Sequence, residues 1–242
     1  RDVPGGFSGD PDLLATWATS SLSPHIAARW CENDGDLFER VFPMDMRPQG
    51  HDIIRTWLFS TMVRSHHEHG GVPWTNAALS GWILDPDRKK MSKSKGNVVT
   101  PMALFDTYGT DAVRYWAASA RPGVDTAFSE DQMKVGRKFA NKMLNITKFV
   151  LNLASDHTAT IDDVTHPVDR AMLTRLDHTV AEATRAFGDF DYARALERTE
   201  SLFWWFCDDY VELVKSRAYD IDDPGRNSAL SALRIAVGTM QR

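Results

Sequence analysis

The residues with the clearest chemical use are Lys90-Met91-Ser92-Lys93-Ser94-Lys95-Gly96-Asn97. Three ammonium groups fall within six residues, separated by small hydroxyl side chains and followed by a glycine. Ammonium groups neutralise phosphate oxygens as point charges, and hydroxyls donate to them, so a mobile loop of this composition suits the phosphates of a nucleotide. The same letters also describe a solvated basic turn. In a second stretch, Gly50-His51-Asp52-Ile53-Ile54, a glycine that admits close approach stands at a helix start, whose unpaired amides favour polar or anionic groups. Trp17, among Thr16, Ala18 and Thr19, is either a core plug or the floor of a pocket. His66, His67 and His69 gather at a helix end, but no acidic or cysteine partner completes a metal site, so no metal centre is expected.

These residues need a framework. The mostly apolar run 77–84 reads as a buried strand that ends just before the lysines. Pro101 is fit for the first turn of the helix that follows them. Upstream, residues 44–48 read as a strand and 52–68 as a helix, with Ile53 and Trp57 on one face and Ile54, Leu58 and Met62 on the next; Gly70-Gly71 ends it. Strand, helix and strand in that order predict a right-handed parallel crossover, hence an α/β sheet whose ligands lie at the carboxyl ends of the strands, where Gly50 and Lys90 fall. Short helices over 101–108 and 110–120, the second capped by Thr110 or Asp111, precede a break at Arg121-Pro122-Gly123 and a loop over 125–128. Residues 1–12 and 33–36 read as loop and turn, and 25–30 as a short helix.

From Ser129 the strand signals stop. Ser129-Glu130-Asp131-Gln132 is a capping pattern for a helix running to about residue 154. Further helices are expected over 168–187, 191–215 and 227 to the end, which makes an all-α bundle over 129–242 behind an α/β half over 1–128. Trp204-Trp205-Phe206 is expected in the bundle core rather than as a base-stacking platform.

Composition narrows the field. With 242 residues, 43% hydrophobic and 25% charged, the chain reads as an ordinary globular one. A net charge of −5 argues against bulk attraction to nucleic acid, so any polynucleotide site must be a local basic patch. The two cysteines, Cys31 and Cys207, make no disulfide framework and no metal spacing, which fits a reducing cytoplasm. No apolar run reaches membrane-spanning length and no signal peptide is visible. The chain opens mid-pattern at Arg1, and reads as a piece of something longer.

The pentad Lys90 to Ser94 matches, letter for letter, the signature loop of class I aminoacyl-tRNA synthetases. Gly50-His51-Asp52-Ile53 with Trp57 resembles that class's adenylate-binding segment in its valyl branch, and Thr16-Trp17 with Ser20-Ser21 is similar to a segment of the same branch, although Ala15 and Ala18 replace an acidic and an aromatic residue there. Asp111-Ala112-Val113-Arg114 resembles the stretch that contacts the inside of the tRNA, and Phe139-Ala140-Asn141-Lys142 the start of the anticodon-binding bundle.

The resemblance implies a Rossmann-like half and an anticodon-binding bundle of an enzyme that activates valine with ATP (with Mg2+) and transfers it to tRNA(Val). It implies Lys90 and Lys93 as catalytic, with Ser92 and Ser94 assisting them at the ATP phosphates. It implies Gly50, His51 and Asp52 at the adenosine end, where a carboxylate can accept from ribose hydroxyls, although Asp52 also fits a helix N-cap. Trp17, Ile53 and Trp57 are implied as the valine pocket, against a plain helix-to-sheet core role for Trp57. Asp111, Arg114, Asn141 and Lys142 are implied at the tRNA; separately, Lys134, Lys138 and Lys142 recur every fourth residue with Arg137 and Lys148 nearby, a stripe that suits tRNA phosphates and equally suits a solvated face. The His-x-Gly-His signature of the first catalytic half does not occur, and neither it nor the editing domain is expected within this chain, which alone should not aminoacylate. A non-catalytic tRNA-binding module and an isoleucyl relative are the alternatives.

Overall fold

In a computed structural model, residues 5–6, 11–30 and 36–242 are described. The loop expected over 1–12 falls mostly outside them, as do Cys31 and most of the 33–36 turn. By contact, the chain divides into units over residues 1–82 and 83–242.

The first unit is built on two parallel strands, β1 (Met44–Gly50) and β2 (Trp74–Ser80), paired so that Met44 faces Trp74 and Gly50 faces Ser80. Parallel strands need a crossover. Here it is a continuous helical run in three geometries: a 3-10 turn (His51–Ile53), a wide π turn (Ile54–Leu58) and an α-helix (Phe59–His69). Gly70, at φ 74°, ends the run in the left-handed conformation that glycine adopts without strain. The expected helix is therefore present, but its first two turns are not α-helical. Before β1 lie three five-residue helices, α1 (Thr16–Ser20), α2 (Ser23–Ala27) and α3 (Leu37–Val41), so the crossover helix is α4.

The expected strand over 77–84 is two strands. β2 stops at Ser80, and a separate β3 (Ile83–Leu84) pairs in parallel with β4 (Thr126–Ala127). The break falls at Gly81-Trp82, where the indole of Trp82 packs 4.7 Å from the His51 ring instead of continuing the ladder. Residues 126–127, expected in a loop, are made a strand by tertiary partners: Trp116 Nε1 donates to the Ala127 carbonyl at 3.3 Å and Phe128 N donates to the Leu84 carbonyl at 2.8 Å.

Between β3 and β4 run α5 (Pro101–Tyr108) and α6 (Thr110–Ala118), hinged at Gly109. Gly109 itself stands at the N-cap of α6, so neither Thr110 nor Asp111 caps it. Helices then follow without further strands: α7 (Glu130–Leu153), α8 (Pro167–Gly188), α9 (Tyr192–Trp205), α10 (Val211–Tyr219) and α11 (Arg226–Met240). Ser129 Oγ caps α7 by accepting from Gln132 N, as the capping pattern predicts. The single helix expected over 191–215 is α9 and α10 joined through a π turn (Phe206–Tyr210). Phe203, Phe206 and Tyr210 are fully buried with Met172, Leu230 and Leu233, and Trp204 and Trp205 pack partly buried against them. The small buried faces of Ser228, Ala229, Ala232 and Ala236 let α11 lie against α7, α8 and α10.

One polar network crosses this apolar interior. Asp169, in the first turn of α8, is wholly buried. It accepts from both terminal nitrogens of Arg217 at 2.7 Å, from the Tyr210 hydroxyl at 2.8 Å and from Ser228 Oγ at 2.6 Å. Burial alone would raise its carboxyl, but these donors outweigh it and hold the group below the usual carboxylate range. A second constraint is steric. A Cβ on Gly136 of α7 would sit 2.6 Å from Tyr115 Cβ of α6.

Two outcomes follow for stability. Because the folded Asp169 carboxyl is depressed, its contribution is complete above the ordinary carboxylate pKa of about 4 and is lost as pH falls through the lower folded value. Asp169→Asn leaves Arg217 without its counter-charge, and urea unfolding should show a loss of about 3–5 kcal/mol at neutral pH that shrinks in acid. For Gly136→Ala, helix propensity alone favours alanine by about 1 kcal/mol, whereas overlap with a Cβ held by backbone costs about 1–3 kcal/mol. The variant should therefore melt below the parent, and a higher melting temperature would contradict the packing.

Candidate functional site

The predicted nucleotide-binding residues lie in two segments. In the first unit, Gly50 closes β1 in register with Ser80, at the carboxyl ends of both strands. The Asp52 carboxylate folds back over it, with Oδ1 2.8 Å from where a Cβ at position 50 would stand. A side chain at position 50 would require the Asp52 carboxylate to turn away. Gly50, not Asp52, is the N-cap residue, and Asp52 sits exposed in the first turn. His51 Nδ1 lies 3.2 Å from the Ser80 carbonyl; a carbonyl only accepts, so Nδ1 carries the proton and His51 is fastened to the end of β2. Ile53 is half-buried at the end of the 3-10 turn.

Trp57, in the π turn, is held on two sides. Its Nε1 donates to the Ser20 carbonyl at 2.7 Å, which ties it to the end of α1, the helix that carries the exposed Trp17. The Arg47 guanidinium carbon lies 3.3 Å from the centre of its ring and 4.8 Å from that of Trp74. Arg47 is buried, and that burial brings its guanidinium down to about 10, leaving it charged at neutral pH. Sequence reasoning does not single out Arg47; the only signal is that an Arg and a Gln, at 47 and 49, share one face of β1 and both are buried. The structure thus gathers Gly50, His51, Asp52, Ile53 and Trp57 in one turn-and-helix start, with the Trp17 helix packed on its π turn.

In the second unit the lysine loop follows β3. Lys93, Ser94 and Lys95 form a single 3-10 turn ended by Gly96 at φ 67°. The Ser92 and Ser94 hydroxyls stand 3.2 Å apart, and Lys90, Lys93 and Lys95 are exposed. Cations and hydroxyls on one turn form the donor set that a polyphosphate requires.

The predicted tRNA residues lie on α6 and α7. Asp111 and Arg114 line a groove of about 470 Å³ with Phe139, Ala140 and Leu144, and Asn141 is exposed on the same helix. The basic stripe is partly engaged: Lys134 pairs with Asp131 at 3.0 Å, Lys142 with Asp208 at 3.4 Å, and Arg137 donates to the Thr107 carbonyl at 3.2 Å. Lys138 is exposed. Exposed pairs of this kind contribute little, so a phosphate can displace them at small cost. Among the described residues no group of three or more His, Cys, Asp or Glu could hold a metal ion, and no helix is long and apolar enough to cross a membrane.

Comparison with known proteins agrees with this layout. Residues 2–129 match the family model of tRNA synthetases class I (I, L, M and V), and residues 169–242 that of the anticodon-binding domain of tRNA ligase. The chain is 62% identical to a valine–tRNA ligase of Thermobifida fusca and 61% identical to one of Salinispora arenicola, in each case over 100% of this chain and 28% of the relative. It thus spans 28% of the length of the curated relatives it matches. Among solved structures, a LeuRS of Agrobacterium radiobacter K84, in a ternary complex with tRNA and LeuAMS, superposes with a TM-score of 0.75 at 18% identity, covering 96% of this chain and 31% of that one. The methionyl-tRNA synthetase of Mycobacterium tuberculosis in its free state gives 0.71 at 17% identity, covering 95% and 45%. At such identities the likeness shows the fold, which is the Rossmann-like class expected with a helical region behind it. Signature loop, strand-end glycine and matched residues together make the chain a member of the class I tRNA synthetase family, in the branch that comprises its I, L, M and V enzymes.

Proposed function

We propose that the chain is the part of a cytoplasmic valine–tRNA ligase that carries the pyrophosphate-binding loop, one wall of the amino-acid pocket and the tRNA-facing helices. The observation that carries this reading is the loop itself, with Lys93 exposed on a Gly96-ended turn between two hydroxyls. In the activation step a valine carboxylate oxygen attacks the α-phosphorus of ATP, the bond to the bridging oxygen breaks, and pyrophosphate departs with Mg2+ that arrived with the nucleotide. Charge grows on the leaving group, so Lys90 and Lys93 accelerate the step to the extent that they engage there and not in the ground state. The loop delivers them as one ordered turn that moves over the nucleotide as a unit. Gly50, His51 and Asp52 hold the adenosine end.

Trp17, Ile53 and Trp57 form the valine slot. Such a slot excludes larger side chains by shape but rejects threonine weakly, because an added hydroxyl changes the shape little. In the second step a terminal hydroxyl of tRNA(Val) takes the valyl group from AMP. Asp111, Arg114, Lys134, Arg137, Lys138, Asn141 and Lys142 track its phosphates. In this reading residues 1–128 complete the catalytic domain and residues 129–242 bind the anticodon side.

Lys93→Ala in the whole enzyme should slow valine-dependent ATP–pyrophosphate exchange by about 10²–10³-fold, the usual effect of removing one donor to a developing anion. Unchanged exchange would remove the basis of the proposal. Supplying the missing N-terminal half in trans tests specificity: exchange driven by isoleucine would assign a roomier pocket, and tRNA binding without any exchange would leave a binding module.

A further inference from the structure

The lysine loop is shaped from outside itself. Asp85, the residue after β3, is buried. Its Oδ1 accepts from Lys89 N at 2.8 Å and its Oδ2 from Asn97 Nδ2 at 2.8 Å. Asn97 Oδ1 in turn accepts from Ser92 N at 3.0 Å, while Nδ2 also lies 3.4 Å from the Lys90 carbonyl. A carboxamide presents a donor and an acceptor on one rigid plane, which is what these partners demand. Beneath this, Asp85 N donates to the Lys89 carbonyl and Arg88 N to the Asp85 carbonyl, both at 2.9 Å, and Leu84 bridges antiparallel to Lys90. Entry, middle and exit of the loop are therefore tied to one carboxylate at the end of a strand. Lys93, Ser94 and Lys95 sit inside the ring closed between Ser92 and Asn97, and their side chains face solvent.

We propose that Asp85 and Asn97 are positioning residues for the reaction: a latch that presets the backbone of the Lys90–Lys95 loop so that its cations meet the departing pyrophosphate without first being ordered. This rests on the pyrophosphate role assigned above to the loop. A preset donor array stabilises developing charge without reorganising at the moment of reaction, and a displacement of about 1 Å can cost about 10²-fold in rate. The Lys89 amide and then the Asn97 amide hold the Asp85 carboxyl below its usual range, so the latch is ionised throughout the neutral region.

The test uses the whole enzyme and four variants beside Lys93→Ala. Asn97→Ala and Asp85→Asn should each lower kcat for ATP–pyrophosphate exchange by about 10²-fold with KM for valine unchanged. Asn97→Asp sets two carboxylates against each other, so its rate should rise as pH falls and one of them takes a proton. The exchanged pair Asp85→Asn/Asn97→Asp again opposes an amide to a carboxylate and should recover most of the lost rate. In the chain 1–242 carrying Asn97→Ala, the Ser92 amide should exchange with deuterium faster than in the parent, while amides of α7 keep their protection. The latch is refuted if the single variants run at the parent rate while Lys93→Ala is crippled, if the exchanged pair is as slow as the singles, or if Ser92 protection does not change. A harmless Lys93→Ala would instead sink the pyrophosphate reading on which the latch stands.

Discussion

Two parallel strands cannot be joined by a tight turn. That constraint operates twice in this chain. Between β1 and β2 the crossover begins with Gly50-His51-Asp52, and between β3 and β4 it begins with the lysine loop. In each case the first residues of the crossover stand at the carboxyl end of a strand, in a short turn that precedes the first α-helix. The candidate sites are the openings of long connections, where polar groups are held by a strand on one side yet remain accessible on the other.

What fixes each opening differs. At Gly50 the device is steric: the Asp52 carboxylate occupies the space of a side chain, and His51 is fastened to the next strand. At the lysine loop it is electrostatic, a buried carboxylate shared between a backbone amide and one carboxamide. Trp57 shows a third device. A guanidinium against its face and a carbonyl at its nitrogen satisfy both the quadrupole and the polar end of the indole, so the ring keeps one orientation. Neighbours supply the geometry in all three cases, and the candidate residues lie between half-buried and exposed.

Much of this is legible in the sequence where chemistry is local. The Ser129 cap and the helices expected from there to about residue 154 and over 168–187 rest on signals within a few residues, and the structure follows them. Legibility ends where the cause is distant. Residues 126–127 carry no strand signal of their own, and β4 exists because β3 and Trp116 reach it. The π turns at 54–58 and 206–210 contain no glycine or proline to announce them. β2 stops at Ser80, where its partner β1 ends at Gly50 and leaves no strand to pair with Gly81-Trp82. Arg47 reads as a surface residue until two indoles enclose it, and Asn97 has no evident partner until Asp85, 12 residues earlier, is brought beneath it. Each miss is a tertiary contact overriding a local preference.

The close approach of Gly136 to Tyr115 has a mechanical consequence. The same Tyr115 donates through its hydroxyl to Glu200 of α9 at 2.7 Å, and Trp204 Nε1 donates to the other oxygen of that carboxylate at 3.1 Å. α6 is thus clamped on two sides, by backbone contact with α7 and by a hydrogen-bonded strut to α9. One joint leaves no room for a side chain on α7, and the other sits at the usual length of a charge-assisted bond. One side chain, Tyr115, therefore sets the seat of α6 against both neighbours, and it stands next to Arg114 and one turn from Asp111.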